Sequence, residues 1–327
     1  MISIVIPLYN KGELVATALE SIARQWPQAG SVAVGGDCGM GEGSGAAGGT
    51  GSAAVKMEDC EIVVVDDGST DDSVDVARRF AKSRELPVMR VIRQSNAGVG
   101  AARNRGVAEA KGDYVTFLDA DDEWKPGHLS ELASLAREYP QCGVVATNYE
   151  NRHADGRIEP NQLRLIPFAG DKGVIDNYFE VASESNPPLW TSAVMVRREA
   201  LVAVGGFPEG IKSGEDLLTW ARLATRYSIA YSMRVSAVYN RGHSNPRPPE
   251  RVDEVGKQLR LLYKENKGDA GLRRYLALWY NMRMSRCLAH RKYAGALTAL
   301  WHSLRYRPTL RIAKPLVKFT IHGLRHR

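Results

Sequence analysis

The feature that most constrains this chain is a short apolar strand that stops on a cluster of acids. Tyr114 to Leu118 is rich in β-branched and aromatic residues and follows Gly112, which predicts a buried strand. Asp119, Asp121 and Asp122 come directly after it. In an open α/β sheet, ligands bind at the carboxyl ends of the strands, so these acids are predicted to face a binding crevice.

Two of these acids, Asp119 and Asp121, are spaced so that their oxygens can converge on one hard cation or on a ribose hydroxyl. A solvated acidic turn is the alternative for an isolated pair of this kind. A calcium loop of the EF-hand type is excluded, because Trp124 stands where glycine is required and Ser130 where glutamate is required. The other motifs of the chain are therefore needed to distinguish a ligand site from a simple turn.

Strand and helix patterns alternate up to about residue 240. In addition to the strand before Asp119, apolar strands are predicted at residues 2–6, 61–65, 88–92, 143–147 and 191–196. The first is expected to end at Pro7, and Ser69 with Asp72 is expected to form a capping box for a helix that continues to about Ser83. This alternation predicts an α/β fold with a mostly parallel, Rossmann-like central sheet flanked by helices.

Residues 27–58 interrupt this alternation. Ten glycines occur among the 22 residues from Gly30 to Gly51, and their neighbours are small or polar. Such a segment buries too little apolar surface to offset its ordering entropy. Because it also lacks the G-x-x-x-x-G-K-[ST] motif of a phosphate-binding loop, we expect a disordered surface insertion.

The C-terminal part of the chain is basic and has a helical pattern. From Gly256 onward there are 17 Lys and Arg residues against two acidic residues, whereas the preceding part carries 27 basic and 35 acidic residues. Two apolar stripes at helical spacing occur there: Leu272, Tyr275, Trp279 and Met282, then Leu297, Leu300, Trp301 and Leu304. We therefore predict an α/β domain at residues 1–245 and a basic helical extension at residues 250–327.

Composition indicates the expected compartment. The chain has four cysteines that are far apart and form no C-x-x-C, which suggests neither a disulfide framework nor a zinc site. The N-terminus enters a strand pattern at Ile2 without the features of a signal peptide. No apolar run approaches the roughly 20 residues needed to span a bilayer. We therefore expect a cytoplasmic protein.

Five motifs, taken together and in order, carry a family resemblance: Ser3-Ile4-Val5-Ile6-Pro7-Leu8-Tyr9-Asn10, Val64-Val65-Asp66-Asp67-Gly68-Ser69-Thr70-Asp71, Asn96-Ala97-Gly98 with Ala102-Arg103-Asn104, Phe117-Leu118-Asp119-Ala120-Asp121-Asp122, and Gly214-Glu215-Asp216. Over roughly residues 1–240 the chain resembles the family 2 inverting glycosyltransferases of GT-A fold. Each motif alone is weak, but the ordered set is highly specific. The glycine-rich insertion departs from the family pattern, in which the first helix and the second strand are separated by a few residues. The resemblance implies sugar transfer from a nucleotide-sugar donor, with UDP favoured, to a glycan or lipid-linked acceptor; no nucleic-acid partner is expected.

The resemblance assigns the first two motifs to the nucleotide. Pro7, Tyr9 and Asn10 would hold the nucleobase. Asp66 would accept the N3–H of a uracil, with Asp67 as a less favoured second candidate. The structural alternatives are a strand-ending proline with a polar turn, and acids that stabilise the start of the following helix.

The third motif has two further interpretations. In the resemblance Asn96 and Arg103 approach the nucleotide, since an arginine fork suits a diphosphate; helix capping by Asn96 and a solvated charge at Arg103 are equally open. The stretch also imitates a dinucleotide-binding fingerprint, because Gly98 and Gly100 precede Asp119 by about 20 residues. Arg103 stands where that fingerprint requires glycine or alanine, so an oxidoreductase is the weaker alternative.

The resemblance places the metal and the base at the last two motifs. Asp121, helped by Asp119, would hold Mg²⁺ or Mn²⁺ against the donor diphosphate. Asp216 would deprotonate the acceptor hydroxyl, with Glu215 and Trp220 on the acceptor side. Inversion then needs one base and one activated leaving group, without a covalent intermediate.

Several of these assignments have a purely structural alternative. Ser213 and Asp216 fit a capping box, and Trp220 fits an apolar helix stripe that faces the core. His243 would be a further ligand for the metal or the diphosphate, although its place in a loop suits a surface histidine. The alternative of a different class is a non-catalytic nucleotide-binding or scaffolding module, which predicts that Asp121 and Asp216 are dispensable.

A final helix is predicted to begin at Pro315. On a helical wheel its residues separate into an apolar and a basic face: Leu316, Val317, Ile321 and Leu324, and Lys318, His322 and Arg325. This pattern is typical of a helix in a membrane interface. Two placements stay open, namely an anionic membrane on its cytoplasmic face, close to a cell-envelope acceptor, or docking on the catalytic domain.

Overall fold

The computed structural model describes residues 1–26, 55–243, 252–266 and 268–307. Most of the glycine-rich insertion, the side chain of His243 and the helix predicted from Pro315 lie outside the described residues. The predicted boundary at residues 245–250 also lies outside them. The interpretations of these segments therefore stay predictions.

Ten strands of the described residues form one sheet. They are β1 (Ile2–Leu8), β2 (Cys60–Asp66), β3 (Val88–Arg93), β4 (Tyr114–Phe117), β5 (Glu123–Trp124), β6 (Val144–Arg152), β7 (Ile158–Pro160), β8 (Lys172–Ile175), β9 (Val194–Arg197) and β10 (Ile229–Asn240). Across the sheet the order is β3-β2-β1-β4-β9-β6-β10-β5, with β7 paired to β6 and β8 to β10. β1 lies between β2 and β4 and is parallel to both, so the carboxyl ends of these strands meet at one edge.

The strand directions change in the middle of the sheet. β9 runs antiparallel to both of its neighbours, β4 and β6. Beyond it, β6 and β10 are again parallel to each other. The predicted α/β sheet is therefore confirmed, and its uniformly parallel part is the half that contains β1 to β4.

Ten α-helices of the described residues accompany the sheet: α1 (Gly12–Ala23), α2 (Ser73–Ser83), α3 (Val99–Glu109), α4 (His128–Glu138), α5 (Tyr178–Glu184), α6 (Arg198–Ala203), α7 (Glu215–Ala224), α8 (Glu254–Glu265), α9 (Ala270–Ala289) and α10 (Tyr293–Tyr306). Successive residues of β1 enter two different cores. Val5 packs in the core that contains α3 and α5 to α10, whereas Ile4 and Ile6 pack in the core that contains α1, α2 and α4. Both faces are buried, which explains why the strands have continuous apolar sequences.

The prediction that β1 ends before Pro7 is wrong, because the strand continues to Leu8. Val5 O accepts a hydrogen bond from Leu118 N, so the carbonyl of Val5 faces β4. Pro7 is two residues further along the strand, so its backbone nitrogen also faces β4. Because β4 ends at Phe117, no strand residue lies opposite Pro7 to need an N–H donor. A proline is therefore tolerated at this position of a central strand.

The capping box predicted for α2 is also absent. The helix begins at Ser73, and the side chain of Asp72 makes no capping hydrogen bond. Ser69 Oγ instead accepts a hydrogen bond from Asn10 N at 3.1 Å. Ser69 thus joins the loops that follow β1 and β2, which explains why it is not available to the helix.

The apolar stripe of α9 packs against the α/β part of the chain. Leu272 and Tyr275 are buried, and a Cβ atom at Gly214 would lie 2.8 Å from the ring of Trp279. Trp279 Nε1 also donates a hydrogen bond to Asp253 Oδ1 at 3.0 Å. The C-terminal helices therefore share a core with the start of α7.

The apolar stripe of α10 is exposed except for Leu300, which packs against the core. Leu297, Trp301 and Leu304 are 67%, 55% and 45% exposed, and Tyr293 on the same helix is 52% exposed. We call these four residues the α10 row. No helix of the described residues is long and apolar enough to cross a membrane.

Candidate active site

The loops after β1 and β2 are tied together by Asn10. Its backbone is in the left-handed region, with φ 49°, and its Oδ1 accepts a hydrogen bond from Thr70 N at 2.8 Å. Pro7 is buried, while the ring of Tyr9 is 46% exposed next to Asn10. These three residues therefore lie at the edge of the sheet predicted to bind the nucleobase, and Tyr9 presents an accessible aromatic face.

Asp66 lies at the end of β2 and is fully buried. Its Oδ1 accepts a hydrogen bond from Ser69 N at 2.9 Å. Its Oδ2 makes no hydrogen bond, although Arg93 Nε lies 3.2 Å away. A buried carboxylate oxygen without a hydrogen bond is costly, so this atom is suited to accept an N–H from a bound base.

Asp67 is used differently. Its carboxylate accepts hydrogen bonds from Gln94 Nε2, Ala97 N and Gly98 N at 2.8, 2.9 and 2.8 Å. These bonds hold the loop before α3, so the side chain of Asp67 is occupied by the protein. The structure thus gives Asp67 a role in holding this loop, and a second contact to the base stays a prediction.

Asn96 is exposed in the loop that Asp67 holds. The residue that precedes α3 is Gly98, with φ 92°, so Asn96 is not the cap of this helix. A Cβ atom at Gly68, where φ is 79°, would lie 3.0 Å from Asn96 N. The loops after β2 and β3 therefore approach each other, and a nucleotide role for Asn96 stays a prediction.

Arg103 is buried between two carboxylates. Its Nη2 donates to Asp119 Oδ1 and Oδ2 at 2.8 and 3.0 Å, and its Nη1 donates to Glu215 Oε1 at 3.0 Å. Burial lowers the pKa of Arg103, but the charges of Asp119 and Glu215 outweigh it and raise the pKa above its usual range. Both terminal nitrogens of Arg103 thus bind carboxylates and join the end of β4 to the start of α7, and a contact of Arg103 with the diphosphate stays a prediction.

Asp121 lies in the turn after β4, close to a lysine from the other side of the site. Lys11 Nζ is 2.6 Å from Asp121 Oδ2, and both side chains are partly exposed. Burial raises the pKa of Asp119, the guanidinium of Arg103 lowers it, and the charge of Asp121 raises it again. Asp119 and Asp121 are thus close enough to repel each other, and positive charge stabilises both.

The third acid of this turn, Asp122, is held by its surroundings. Its carboxylate accepts hydrogen bonds from Ser192 Oγ, Trp190 Nε1 and Asn240 N at 2.7, 2.8 and 3.1 Å. Burial and the charges of its two acidic neighbours raise the pKa of Asp122 to about 8. Asp122 therefore fixes the backbone of the turn, while Asp121 faces the crevice.

These residues are suited to a divalent cation that is shared with a substrate. Among the described residues, no three His, Cys, Asp or Glu side chains converge on a metal position. Mg²⁺ in nucleotide sites commonly takes one or two carboxylates, and substrate phosphates and water complete its shell. Two mutually repelling carboxylates at a strand end, Asp119 and Asp121, fit that requirement.

Asp216 lies in the first turn of α7. Gly214 precedes the helix in the left-handed region, with φ 90°, and makes no side-chain cap. Ser213 Oγ accepts a hydrogen bond from Arg286 Nη1 at 3.0 Å, and Asp216 Oδ1 accepts one from Leu217 N at 2.8 Å. The capping-box alternative for Asp216 is therefore wrong.

The environment of Asp216 changes its acidity. Burial and the adjacent charge of Glu215 raise the pKa of Asp216 to about 7, against the lowering effect of Arg103. A carboxylate with a pKa near neutrality can accept a proton and still be ionised at the working pH. Asp216 thus has the acidity of a general base.

The two residues expected on the acceptor side are both buried. Trp220 is fully buried, and its ring packs edge-on against Phe207 with the centroids 5.6 Å apart. Glu215 is buried in its ion pair with Arg103. Helix α7 directs these side chains into the core and towards α3, and their acceptor-side role stays a prediction.

Sequence patterns missed several residues of the site. Lys11 immediately follows the first motif, and its position there is the only local signal for it. Trp190, Ser192 and Asn240 are separated from Asp122 by 68, 70 and 118 residues. Their contacts depend on the order of the strands, for which the sequence carries no local signal.

Comparison with solved structures identifies the fold. Staphylococcus aureus TarS, solved with UDP-GlcNAc, superposes with a TM-score of 0.67 and 19% identity over 94% of this chain and 81% of that chain. A mannosyltransferase from Pyrobaculum calidifontis, solved with GDP-Man and Mn²⁺, superposes with a TM-score of 0.57 and 18% identity over 99% of this chain and 80% of that chain. The arrangement of the sheet and helices is thus that of the GT-A fold.

Two sequence relatives are named as glycosyltransferases. The uncharacterized glycosyltransferase YibD of Escherichia coli is 36% identical over 137 residues, which are 42% of this chain and 30% of that protein. The poly(ribitol-phosphate) beta-glucosyltransferase of Bacillus spizizenii is 33% identical over 239 residues, which are 73% of this chain and 31% of that protein. The match thus spans about a third of the length of these two relatives.

The chain thus has a GT-A type fold, with acids at the ends of its strands. Residues 3–202 match the model of glycosyl transferase family 2, and the chain belongs to that family. The predicted resemblance is confirmed, and the alternative of a dinucleotide-binding oxidoreductase is wrong.

Proposed function

We propose that this protein transfers a sugar from a nucleotide-sugar donor to an acceptor hydroxyl with inversion at the anomeric carbon. The observation that carries the proposal is the link between the turn of Asp119 and the helix of Asp216. Arg103 bridges Asp119 and Glu215, and Asp216 follows Glu215 directly. The residues suited to the leaving group and to the attacking hydroxyl are therefore held at a fixed separation.

The nucleotide is proposed to bind across the ends of β1 and β2. Asp66 Oδ2 pairs with the charge of Arg93 but accepts no hydrogen bond, which supports an N–H contact with a base, and a uracil N3–H is the donor that it suits. Tyr9 supplies an exposed ring, and Asn10 holds the loop that carries it. A UDP-linked donor is favoured, and TarS, which shares the fold, was solved with UDP-GlcNAc.

The diphosphate is proposed to lie over the turn of Asp119 and Asp121. A bound Mg²⁺ or Mn²⁺ would supply Lewis-acid neutralisation of the charge on the leaving diphosphate. Asp121 would hold it, with help from Asp119, whose orientation is fixed by Arg103. His243 remains a further proposed ligand. Lys11 pairs with the carboxylate of Asp121, which is also the proposed ligand of the cation. Its ammonium group would neutralise that carboxylate before the donor and the cation bind.

Asp216 is proposed to accept the proton of the acceptor hydroxyl. A base with a pKa of about 7 can be ionised near neutral pH and still accept a proton as the hydroxyl attacks. Attack from the face opposite the leaving group inverts the anomeric carbon. The sugar should develop oxocarbenium character, as in glycoside hydrolysis.

The acceptor is proposed to be a glycan or a lipid-linked intermediate of the cell envelope. The beta-glucosyltransferase of Bacillus spizizenii is named for a poly(ribitol-phosphate) acceptor, which supports an envelope polymer as the acceptor class.

The α10 row exposes Leu297 and Trp301, and Arg305 lies over the Trp301 ring at 5.4 Å. Apolar and aromatic residues beside basic ones suit the interface of an anionic membrane, so we include peripheral association with the inner membrane face.

A screen of nucleotide sugars tests the central proposal. Purified protein is incubated with UDP-, GDP- and dTDP-linked sugars, with and without Mn²⁺, and the released nucleoside diphosphate is measured. We expect release that depends on the cation and is greatest for a UDP-linked donor. Absence of release from every donor, together with clear nucleotide binding by the wild type, would favour a non-catalytic nucleotide-binding module instead.

A further inference from the structure

Three aromatic side chains form a wall beside the turn of Asp121. The ring centroids of Trp190 and Tyr239 are 3.9 Å apart, and those of Tyr149 and Trp190 are 5.8 Å apart. Tyr149 is buried, whereas Trp190 and Tyr239 are only half-buried. We call these three residues the aromatic wall. Partly exposed aromatic rings suit the apolar side of a sugar or polyol chain.

The aromatic wall is fixed to the turn by hydrogen bonds. Trp190 Nε1 donates to Asp122 Oδ2 at 2.8 Å, and Asn240 Nδ2 donates to the carbonyl oxygen of Asp121 at 2.8 Å. Tyr149 OH donates to Pro187 O at 3.0 Å on the other side. The position of the rings is therefore coupled to that of the proposed diphosphate site.

The wall also lies near the proposed base. Burial raises the pKa of Tyr149, the positive charge of Arg241 lowers it, and the charges of Asp216 and Asp122 raise it further. These three charged groups therefore act on one phenol from different elements, namely β10, α7 and the turn after β4.

A cation completes this surface. Arg241 directly follows β10, is exposed, and its guanidinium carbon lies 5.6 Å from the ring centroid of Tyr239. A guanidinium that stacks on an aromatic ring still presents its N–H groups at its edge, where they match a phosphate or carboxylate. A wall without a cation would suit a neutral glycan; with Arg241 it suits a charged one.

We propose that the aromatic wall and Arg241 form an acceptor subsite for a sugar or polyol that carries an anionic group close to the reacting hydroxyl. The inference rests on the proposed function and adds the chemical class of the acceptor. The carbon skeleton packs against the exposed edges of Trp190 and Tyr239, and a phosphodiester or a uronate carboxylate lies on Arg241. Asp216 then receives the proton of a hydroxyl that this contact positions.

The test compares binding of three small probes to the full chain in the presence of UDP and Mn²⁺. The probes are a glycerol-phosphate trimer, a disaccharide that contains glucuronic acid, and lactose as the neutral reference. Calorimetry or ligand-observed NMR gives the affinities. We expect one or both anionic probes to bind at least about tenfold more tightly than lactose, the size of one charge-assisted hydrogen bond. The better of the two identifies phosphate or carboxylate as the group recognised.

Variants assign the preference to the subsite. Arg241→Gln should remove the preference for the anionic probe, and Tyr239→Leu should weaken the anionic probe and lactose together. Arg79→Gln changes an exposed arginine on α2 and is the matched control, which should behave as wild type. Equal affinity for all three probes, no measurable binding of either anionic probe, or an unchanged preference in Arg241→Gln would overturn the proposal.

Failure of the acceptor subsite can be distinguished from failure of the proposed transferase function. Release of nucleoside diphosphate from the donor is measured on the same wild-type preparation. Release without discrimination among the probes overturns the subsite alone. Probe binding that depends on Arg241, without release from any donor, supports the subsite and overturns the proposed transferase activity.

Discussion

Arg103 Nη1 donates a hydrogen bond to Glu215 Oε1 at 3.0 Å, across 112 residues of sequence. The other nitrogen of the same guanidinium binds both carboxylate oxygens of Asp119. The side chains of Arg103 and Glu215 are 4% and 9% exposed, and that of Asp119 is 21% exposed. One side chain thereby sets the position of the proposed base relative to the proposed cation site, which makes Arg103 a positioning residue.

Replacing Arg103 should destabilise the protein more than any surface arginine. Arg103→Met leaves Asp119 and Glu215 without their shared partner, and breaking a buried pair in this way costs about 3–5 kcal/mol. Urea unfolding measures the loss. The matched control is Arg105→Met, which removes an exposed pair with Glu109 on the same helix and should cost less than about 1 kcal/mol. Equal costs for the two variants would contradict the role of Arg103.

Asp121→Asn tests the proposed cation site. A neutral amide is a poor ligand for a hard cation, so we expect loss of most of the transfer activity and of its dependence on added Mn²⁺. Mn²⁺ binding in the presence of UDP, followed by electron paramagnetic resonance, should weaken in parallel. Asp113→Asn, at an exposed acid before β4, is the control. Normal turnover by Asp121→Asn, with a wild type that is insensitive to EDTA, would refute the assignment.

Asp216→Asn separates chemistry from helix stability. Loss of a positioned base should reduce kcat at least about 100-fold and leave donor affinity nearly unchanged. The change in unfolding free energy should stay within about 1 kcal/mol, because Asp216 does not form a capping box. Calorimetric titration with UDP compares the nucleotide affinities of the wild type and the variant. Urea unfolding compares their unfolding free energies. Full activity combined with a large drop in stability would instead assign Asp216 a structural role.

The pH profile should report the same carboxylate. Burial and Glu215 raise the pKa of Asp216 to about 7, and only the deprotonated form can act as the base. Below that pH, kcat should therefore fall about tenfold per pH unit, and above it kcat should level off. Pre-steady-state measurement of transfer from pH 5 to 9 gives the profile. A profile that is flat between pH 5 and 7 would exclude Asp216 as the titrating group.

The basic C-terminal part should bind anionic membranes. Each Lys or Arg near an anionic leaflet contributes about 1 kcal/mol, so about five engaged residues would give about 5 kcal/mol before any apolar insertion. We expect salt-sensitive co-sedimentation with anionic vesicles that is lost when the chain is cut after Pro308. Trp301→Ala, in the α10 row, should weaken it further at high salt. Equal sedimentation of full-length and truncated protein, or no preference for anionic lipid, would leave docking on the catalytic domain as the remaining placement.

The sequence by itself determined the elements that carry the site and the edge at which they meet. Apolar runs ending in Asp66 and Asp119 predicted β2 and β4, and both strands are confirmed. The apolar run before Pro7 predicted β1, and the structure places that strand between the other two. These signals are local, because a buried strand needs consecutive apolar residues, and a parallel sheet puts the carboxyl ends of its strands on one side. The family followed from the order of the same motifs.

Only the tertiary structure decided which partner each charged side chain takes. Arg103 faces two carboxylates, Asp67 is saturated by backbone N–H groups, and Trp220 is in the core. Asp122 is held by residues up to 118 positions away. The reason is geometric: β9 inserts between β4 and β6, and β10 brings its end back to the turn after β4. Such pairings depend on strand order and helix orientation, which no local spacing of residue types encodes.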